Sequence, residues 1–131
     1  MSHPAPSRAS RVTGRVLSVL VVALFALDAI LKLLAPRFVV DGTAEVGFPA
    51  WSIVPLGVIL LACTICYAVP RTAVLGAILL TGYLGGAVAT HLRIAHPLFS
   101  HTLVPVYFGI VLWLALWLRR PGLRAAVLAA R

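Results

Sequence analysis

The stretch that decides the fold is TAVLGAILLTGYLGGAVATHL, residues 72–92. It contains no Asp, Glu, Lys or Arg. A run of about 18 or more apolar residues with few charges is long enough to cross a bilayer as a helix. Three further apolar runs lie at 16–34, 51–69 and 103–118. Four spans of about 20 residues need about 80 residues, and 62% of the 131 residues are hydrophobic. Soluble domains have about 45–50% apolar and about 25% charged residues; here only 11% are charged. A soluble domain of this length has too little interior to hide so many apolar side chains. The sequence therefore predicts an all-α fold: an integral membrane four-helix bundle in one domain.

The segments between the spans are short. Residues 1–15, MSHPAPSRASRVTGR, are polar and basic, and Pro4 and Pro6 point to a flexible N-terminal tail. A secretory signal would end its apolar region after about 7–15 residues. Here the apolar run resumes past Asp28 and ends at Ala35-Pro36, which favours a retained first span. Residues 35–50 form a first loop with Gly42, Gly47 and Pro49, and Pro70-Arg71 makes a tight connection. Residues 93–102, RIAHPLFSHT, form a second loop. The fourth span is short, about 24 Å at 1.5 Å per residue, and Arg119-Arg120 stops it. Residues 119–131 are a basic C-terminal tail, too short to cross again and suited to the membrane surface.

The net charge is +8, from 11 Lys and Arg against 3 Asp and Glu. On a soluble protein that excess would point to nucleic acid. Here the basic residues flank apolar runs, so they act as topology signals and anionic-lipid contacts, with no nucleic acid expected. One side collects Arg8, Arg11, Arg15, Arg71, Arg119, Arg120, Arg124 and Arg131, the other only Arg37 and Arg93. Both termini are thus expected in the cytoplasm, and the protein in the inner membrane of a bacterial cell. Trp51 near the outer boundary and Trp113 and Trp117 toward the inner one suit an aromatic belt.

Few residues offer chemistry. Asp28 and Lys32 stand four apart with the acid first, the better order for a helix ion pair. Charges inside a membrane usually face the bundle interior, where they mark a site or a pair. His91, Arg93, His96 and His101 gather at the outer end of the third span, on the side of Asp28 and Lys32. These six are the candidate outward-facing polar pocket. A histidine there suits a proton relay or a hydrogen bond to a quinone. The three histidines lack a tight ligand motif, and no metal is expected. Gly82, Gly85 and Gly86 predict close helix packing. They do not form a dinucleotide loop, because no strand precedes them. Cys63-Thr64-Ile65-Cys66 is a CxxC, but late in a Leu-rich helix it reads as small packing residues rather than a reactive pair.

The stretch from Pro70 to Arg119, above all Thr81–Arg93 followed by His96-Pro97-Leu98, resembles the DoxX-like family of small four-helix membrane proteins. Asp28 to Lys32 with Leu33-Leu34-Ala35-Pro36, Gly47-Phe48-Pro49, and Ala62-Cys63 ahead of Tyr67 and Pro70 fit the same pattern. The resemblance covers residues 15–120. It implies four helices in the inner membrane and a link to redox or quinone metabolism, since the family takes its name from a subunit associated with a quinol oxidase. Leu60 stands where relatives often have an acid, Cys66 where many have an aliphatic residue, and Ala95 where Gly is common.

Two functional readings follow. The first is an accessory or assembly subunit without its own catalysis, whose partner is a membrane protein or a second copy of the chain. No Ser–His–Asp set, phosphate loop, haem motif or carboxylate pair argues for an enzyme. The alternative is a quinone-binding subunit of a membrane redox system. In it the polar pocket holds a carbonyl oxygen, with Tyr83 or Phe99 flanking the ring. A transporter ranks below both, because polar lining is sparse and no inverted repeat is evident.

Overall fold

The computed structural model describes residues 4–130; Met1–His3 and Arg131, parts of the two expected tails, lie outside them. The first helix, α1 (Arg8–Leu34), starts two turns before the expected span. Pro6 and Ser7 thus punctuate a helix start within the stretch expected as a flexible tail. The Ser7 hydroxyl accepts from the Ser10 amide at 3.1 Å, satisfying one of the free N–H groups of the first turn. Ala35, with φ 47°, ends α1 in the left-handed region, and Pro36 leads into α2 (Arg37–Glu45). This short helix occupies the expected first loop, buries none of its residues and carries Asp41 and Glu45.

A 3-10 turn (Ala50–Ser52) leads into α3 (Ile53–Ala68). Then come α4 (Ala73–Arg93), a π turn (Leu98–Thr102) and α5 (Val104–Arg119). The C-terminal stretch forms α6 (Pro121–Ala129). Arg124 anchors it, donating from Nε to the Trp117 carbonyl at 2.7 Å and from Nη2 to the Leu118 carbonyl and the Ser10 hydroxyl. Four segments are long and apolar enough to cross a membrane: Arg8–Leu34, Ala50–Ala68, Ala73–Arg93 and Leu98–Arg119.

The four long helices form a ring. α1 packs on α3 and α5, and α4 packs on the same two from the opposite corner. The start of α1 meets the end of α5, and the end of α1 meets the start of α3. One end of the bundle therefore collects Arg8, Arg11, Arg15, Arg71, Arg119, Arg120 and Arg124; the other holds α2, the π turn, His91, His96 and His101. Val21, Phe25 and Ala29 face Leu60, Cys63, Tyr67, Ala77, Leu80, Leu84, Leu112 and Leu116 in the core. Phe25 and Phe108 pack with ring centroids 5.7 Å apart. Val19, Leu20, Leu24, Ile59, Ile65 and Ile78 point outward, as suits a bundle dissolved in lipid. Trp51 is exposed, whereas Trp113 is tied across the bundle: its indole donates to Thr81 Oγ1 at 2.8 Å.

Close approach falls on glycines other than the expected ones. A Cβ on Gly14 would lie 2.9 Å from the Arg119 nitrogen, and one on Gly57 would lie 2.9 Å from Lys32 Cβ. Gly76 lets α4 approach the backbone of Tyr67 and Cys66 on α3. Gly82, Gly85 and Gly86 have nothing within 4 Å of an added Cβ. Their face points out of the bundle, so they pack no helix within this chain. Gly76→Ala must part α3 from α4, with an expected cost of about 1–3 kcal/mol or more. Gly82→Ala adds only helix propensity, so its stability should match or exceed wild type by up to about 1 kcal/mol. Denaturation of both variants in one mild detergent checks the contrast.

Candidate functional site

The polar residues expected to converge lie at the end of the bundle opposite the arginines. The turn that arranges them follows α4. The His96 amide donates to the His91 carbonyl at 3.1 Å, and the Ala95 amide donates to the Leu92 carbonyl at 3.1 Å. These are the paired bonds of a Schellman C-cap, which places its next-to-last residue in the left-handed region. Ala95 is that residue, with φ 54°. Glycine suits such a conformation and alanine is strained in it. The turn folds His96 back over the helix it has just left.

Three imidazoles meet as a result. The His91 and His96 rings stack with centroids 5.0 Å apart and planes at 29°. His101, from the π turn, lies edge-on to His96 with centroids 5.0 Å apart, and 6.3 Å from His91. Nδ1 of His91 and Nδ1 of His96 are 2.8 Å apart. One must donate and the other accept, so one proton lies between the two Nδ1 atoms. The Thr102 hydroxyl donates to the His96 carbonyl at 3.2 Å, and Ser100 Oγ bonds Nδ1 of His101 at 2.8 Å. His101 is exposed, while His91 and His96 are half-buried. Such a cluster can share protons and hydrogen-bond a carbonyl or hydroxyl at its edge. Among the described residues no group of three His, Cys, Asp or Glu side chains is arranged to hold a metal ion.

The other three candidates are engaged separately. Lys32 Nζ donates to Asp28 Oδ1 within α1, and Lys32 Cβ borders Gly57 of α3. Arg93 turns away from the histidines and donates from Nη2 to the Val46 carbonyl at 2.8 Å. It covers Gly47, whose φ of 84° favours glycine; a Cβ there would lie 2.6 Å from Arg93 Nη2 and push the guanidinium off this seat. Among the described residues no hydrogen bond or ion pair joins the Asp28–Lys32 pair, Arg93 and the histidines to one another.

A groove of about 750 Å³ between α4 and α5 has no counterpart in the sequence reading. Leu84, Gly85 and Val88 line one wall and Pro105, Gly109, Ile110 and Trp117 the other, with the Trp113–Thr81 bond among its lining. Its volume and apolar walls suit a small ligand or an inserted helix surface. Gly109 and the two tryptophans were legible as types, but only the α4–α5 contact makes them one surface. Cys63 and Cys66 are both free thiols on α3, Cys63 buried and Cys66 half-buried.

A family model described as the DoxX-like family matches residues 16–115. No curated protein and no solved structure matches the chain.

The strained turn yields a direct check. Ala95→Gly relieves the left-handed strain, which costs about 1–2 kcal/mol for an L-residue, against part of that lost to a more flexible unfolded chain. The expected outcome is a gain of up to about 1 kcal/mol in denaturation, with the histidine resonances unshifted.

Proposed function

The chain belongs to the DoxX-like family, and from that premise we propose that this multi-pass membrane protein is an accessory or assembly subunit. It docks the transmembrane helix of a membrane partner on the outward face of α4 and performs no catalysis of its own. The observation that carries this reading is the open surface at Gly82, Gly85 and Gly86. Small residues four apart let two helix backbones approach in lipid, and inside this chain no helix uses them. The groove beside Gly85 extends that surface onto α5. The arginine-rich end faces the cytoplasm in this reading, and the site of action is the bacterial inner membrane.

Chain purified from its native membrane in mild detergent, beside a Gly82→Leu/Gly86→Leu variant, tests the reading. Wild type should migrate as a defined assembly with one partner chain, or with a second copy, cross-linked through α4. The double variant should keep its thermal midpoint and run as a single chain. Identical migration of the two proteins would refute docking at this face.

A second reading rests on the histidine cluster. On α4, Val88 in the groove is three residues before His91; on the other side, Pro105 is four residues after His101. A quinone would set a carbonyl oxygen against the imidazoles and its apolar tail along the groove. Asp28, Lys32 and Arg93 would supply charge at the same end, and Phe99 would flank the ring. Solvent extraction and mass spectrometry of the gently purified protein should then give about one quinone per chain, absent after His91→Ala. Equal quinone content in both would exclude the histidines as its site.

A further inference from the structure

At the opposite end of the bundle, we propose, the chain has a binding site for a phosphate oxyanion, occupied by the phosphodiester of an anionic glycerophospholipid. A cavity of about 430 Å³ opens there, its lining including Arg15, Ser18, Val19 and Val22 of α1, Tyr67 of α3 and Arg119 of α5. Arg119 Nε and Nη2 are shielded from solvent and have no hydrogen-bond partner among the described residues. Those two nitrogens are the parallel donors of the guanidinium side edge, the fork that grips two oxygens of a phosphate or carboxylate. Ser18 is 5% exposed, and its hydroxyl neighbours that of Tyr67 without a well-formed hydrogen bond.

Arg119 is half-buried, and a shielded donor without a partner is costly, more so on a charged group. Among the described residues no acidic side chain supplies an anion to it. Of the three acids, Asp28 pairs with Lys32, and Asp41 and Glu45 sit on α2 at the other end. Nor is the fork turned to a carbonyl as in Arg124, whose Nε and Nη2 are both bonded. The guanidinium lies over the Tyr67 ring, 5.5 Å from its centroid, a cation–π contact that holds it at the cavity. The Tyr67 hydroxyl donates its one proton to the Leu112 carbonyl at 2.8 Å and has none left for an anion. Arg15 brings a second positive charge to the same cavity.

Lipid rather than free phosphate is favoured by the other wall. Val19 is 67% exposed on the outward face of α1, and with Val22 it makes an apolar path from the cationic pocket along the helix. A phosphodiester at Arg119 would lay its acyl chain on that path. Ser18 would donate to a phosphate oxygen, and Arg15 would balance the remaining charge.

The test uses delipidated full-length protein in mild detergent. Phosphatidylglycerol, phosphatidylcholine and inorganic phosphate are titrated separately, read by native mass spectrometry and by thermal midpoint. One phosphatidylglycerol should be retained per chain, more tightly than phosphatidylcholine, and raise the midpoint. Arg119→Lys keeps the charge but loses the fork and should weaken retention about tenfold or more. Ser18→Ala, which leaves the arginines in place, should weaken it several-fold. Arg71→Gln removes a charge at the same end but outside the cavity and should change little. Equal weakening by Arg71→Gln and Arg119→Lys would overturn the site in favour of diffuse attraction. Should Arg119→Lys not fold, an unaltered affinity in Ser18→Ala would overturn it as well. Inorganic phosphate protecting as well as the lipid, and competing with it, would overturn the lipid assignment.

Discussion

The bundle is organised around one hydroxyl, that of Tyr67, which donates to the Leu112 carbonyl across the core. Between helices in lipid the hydrophobic effect does little, so packing and interhelical hydrogen bonds must set the geometry. Tyr67 is fully buried, and an unpaired hydroxyl at that depth would be expensive. The bond therefore joins α3 to α5, two helices that are not neighbours in the ring. Other features depend on where the tyrosine sits. Gly76 is small because α4 lies against the Tyr67 backbone, and Arg119 rests on its ring. Such bonds average about 0.6 kcal/mol in membrane proteins, so this one specifies an arrangement more than it adds stability.

The membrane-spanning character was legible because length and apolar content are properties of the chain itself. Residues 72–92 needed no structure to be read as a span. The glycines show where that kind of reading stops. Around a helix in lipid, the outward and inward faces are both apolar, so periodicity does not tell one from the other. Gly82, Gly85 and Gly86 have the better spacing, yet the close approaches fall on Gly14, Gly57 and Gly76. The early start of α1 and the helix at Arg37–Glu45 were hidden for a different reason. Pro and Gly mark where helices begin as well as where chains loop, and only the Ser7 cap and the Pro36 start resolve which.

The candidate site was legible in part. Histidines at 91, 96 and 101 lie close in sequence at one helix end, so their grouping follows from local geometry, and Ala95 makes the turn. What the spacing could not carry is direction. Arg93 is next but one to His91, yet it reaches back to Val46, a residue far away in sequence. Arg119 is the converse case. As a stop signal at the end of a span it reads as a surface charge, and only the packing of α1, α3 and α5 shields its nitrogens.

The separation of charge along the bundle has a consequence for crowding in the bilayer plane. All three carboxylates belong to one end, while the arginines of α1, α5 and α6 gather at the other. Two copies standing side by side in the same orientation set these arginine ends next to one another, and the repulsion acts over a Debye length of about 8 Å at physiological ionic strength. Among the described residues no acidic side chain at that end neutralises the repulsion. The surrounding headgroups then act as the counter-ions of assembly, and a membrane poor in negative lipid keeps such neighbours apart however well their helix faces match.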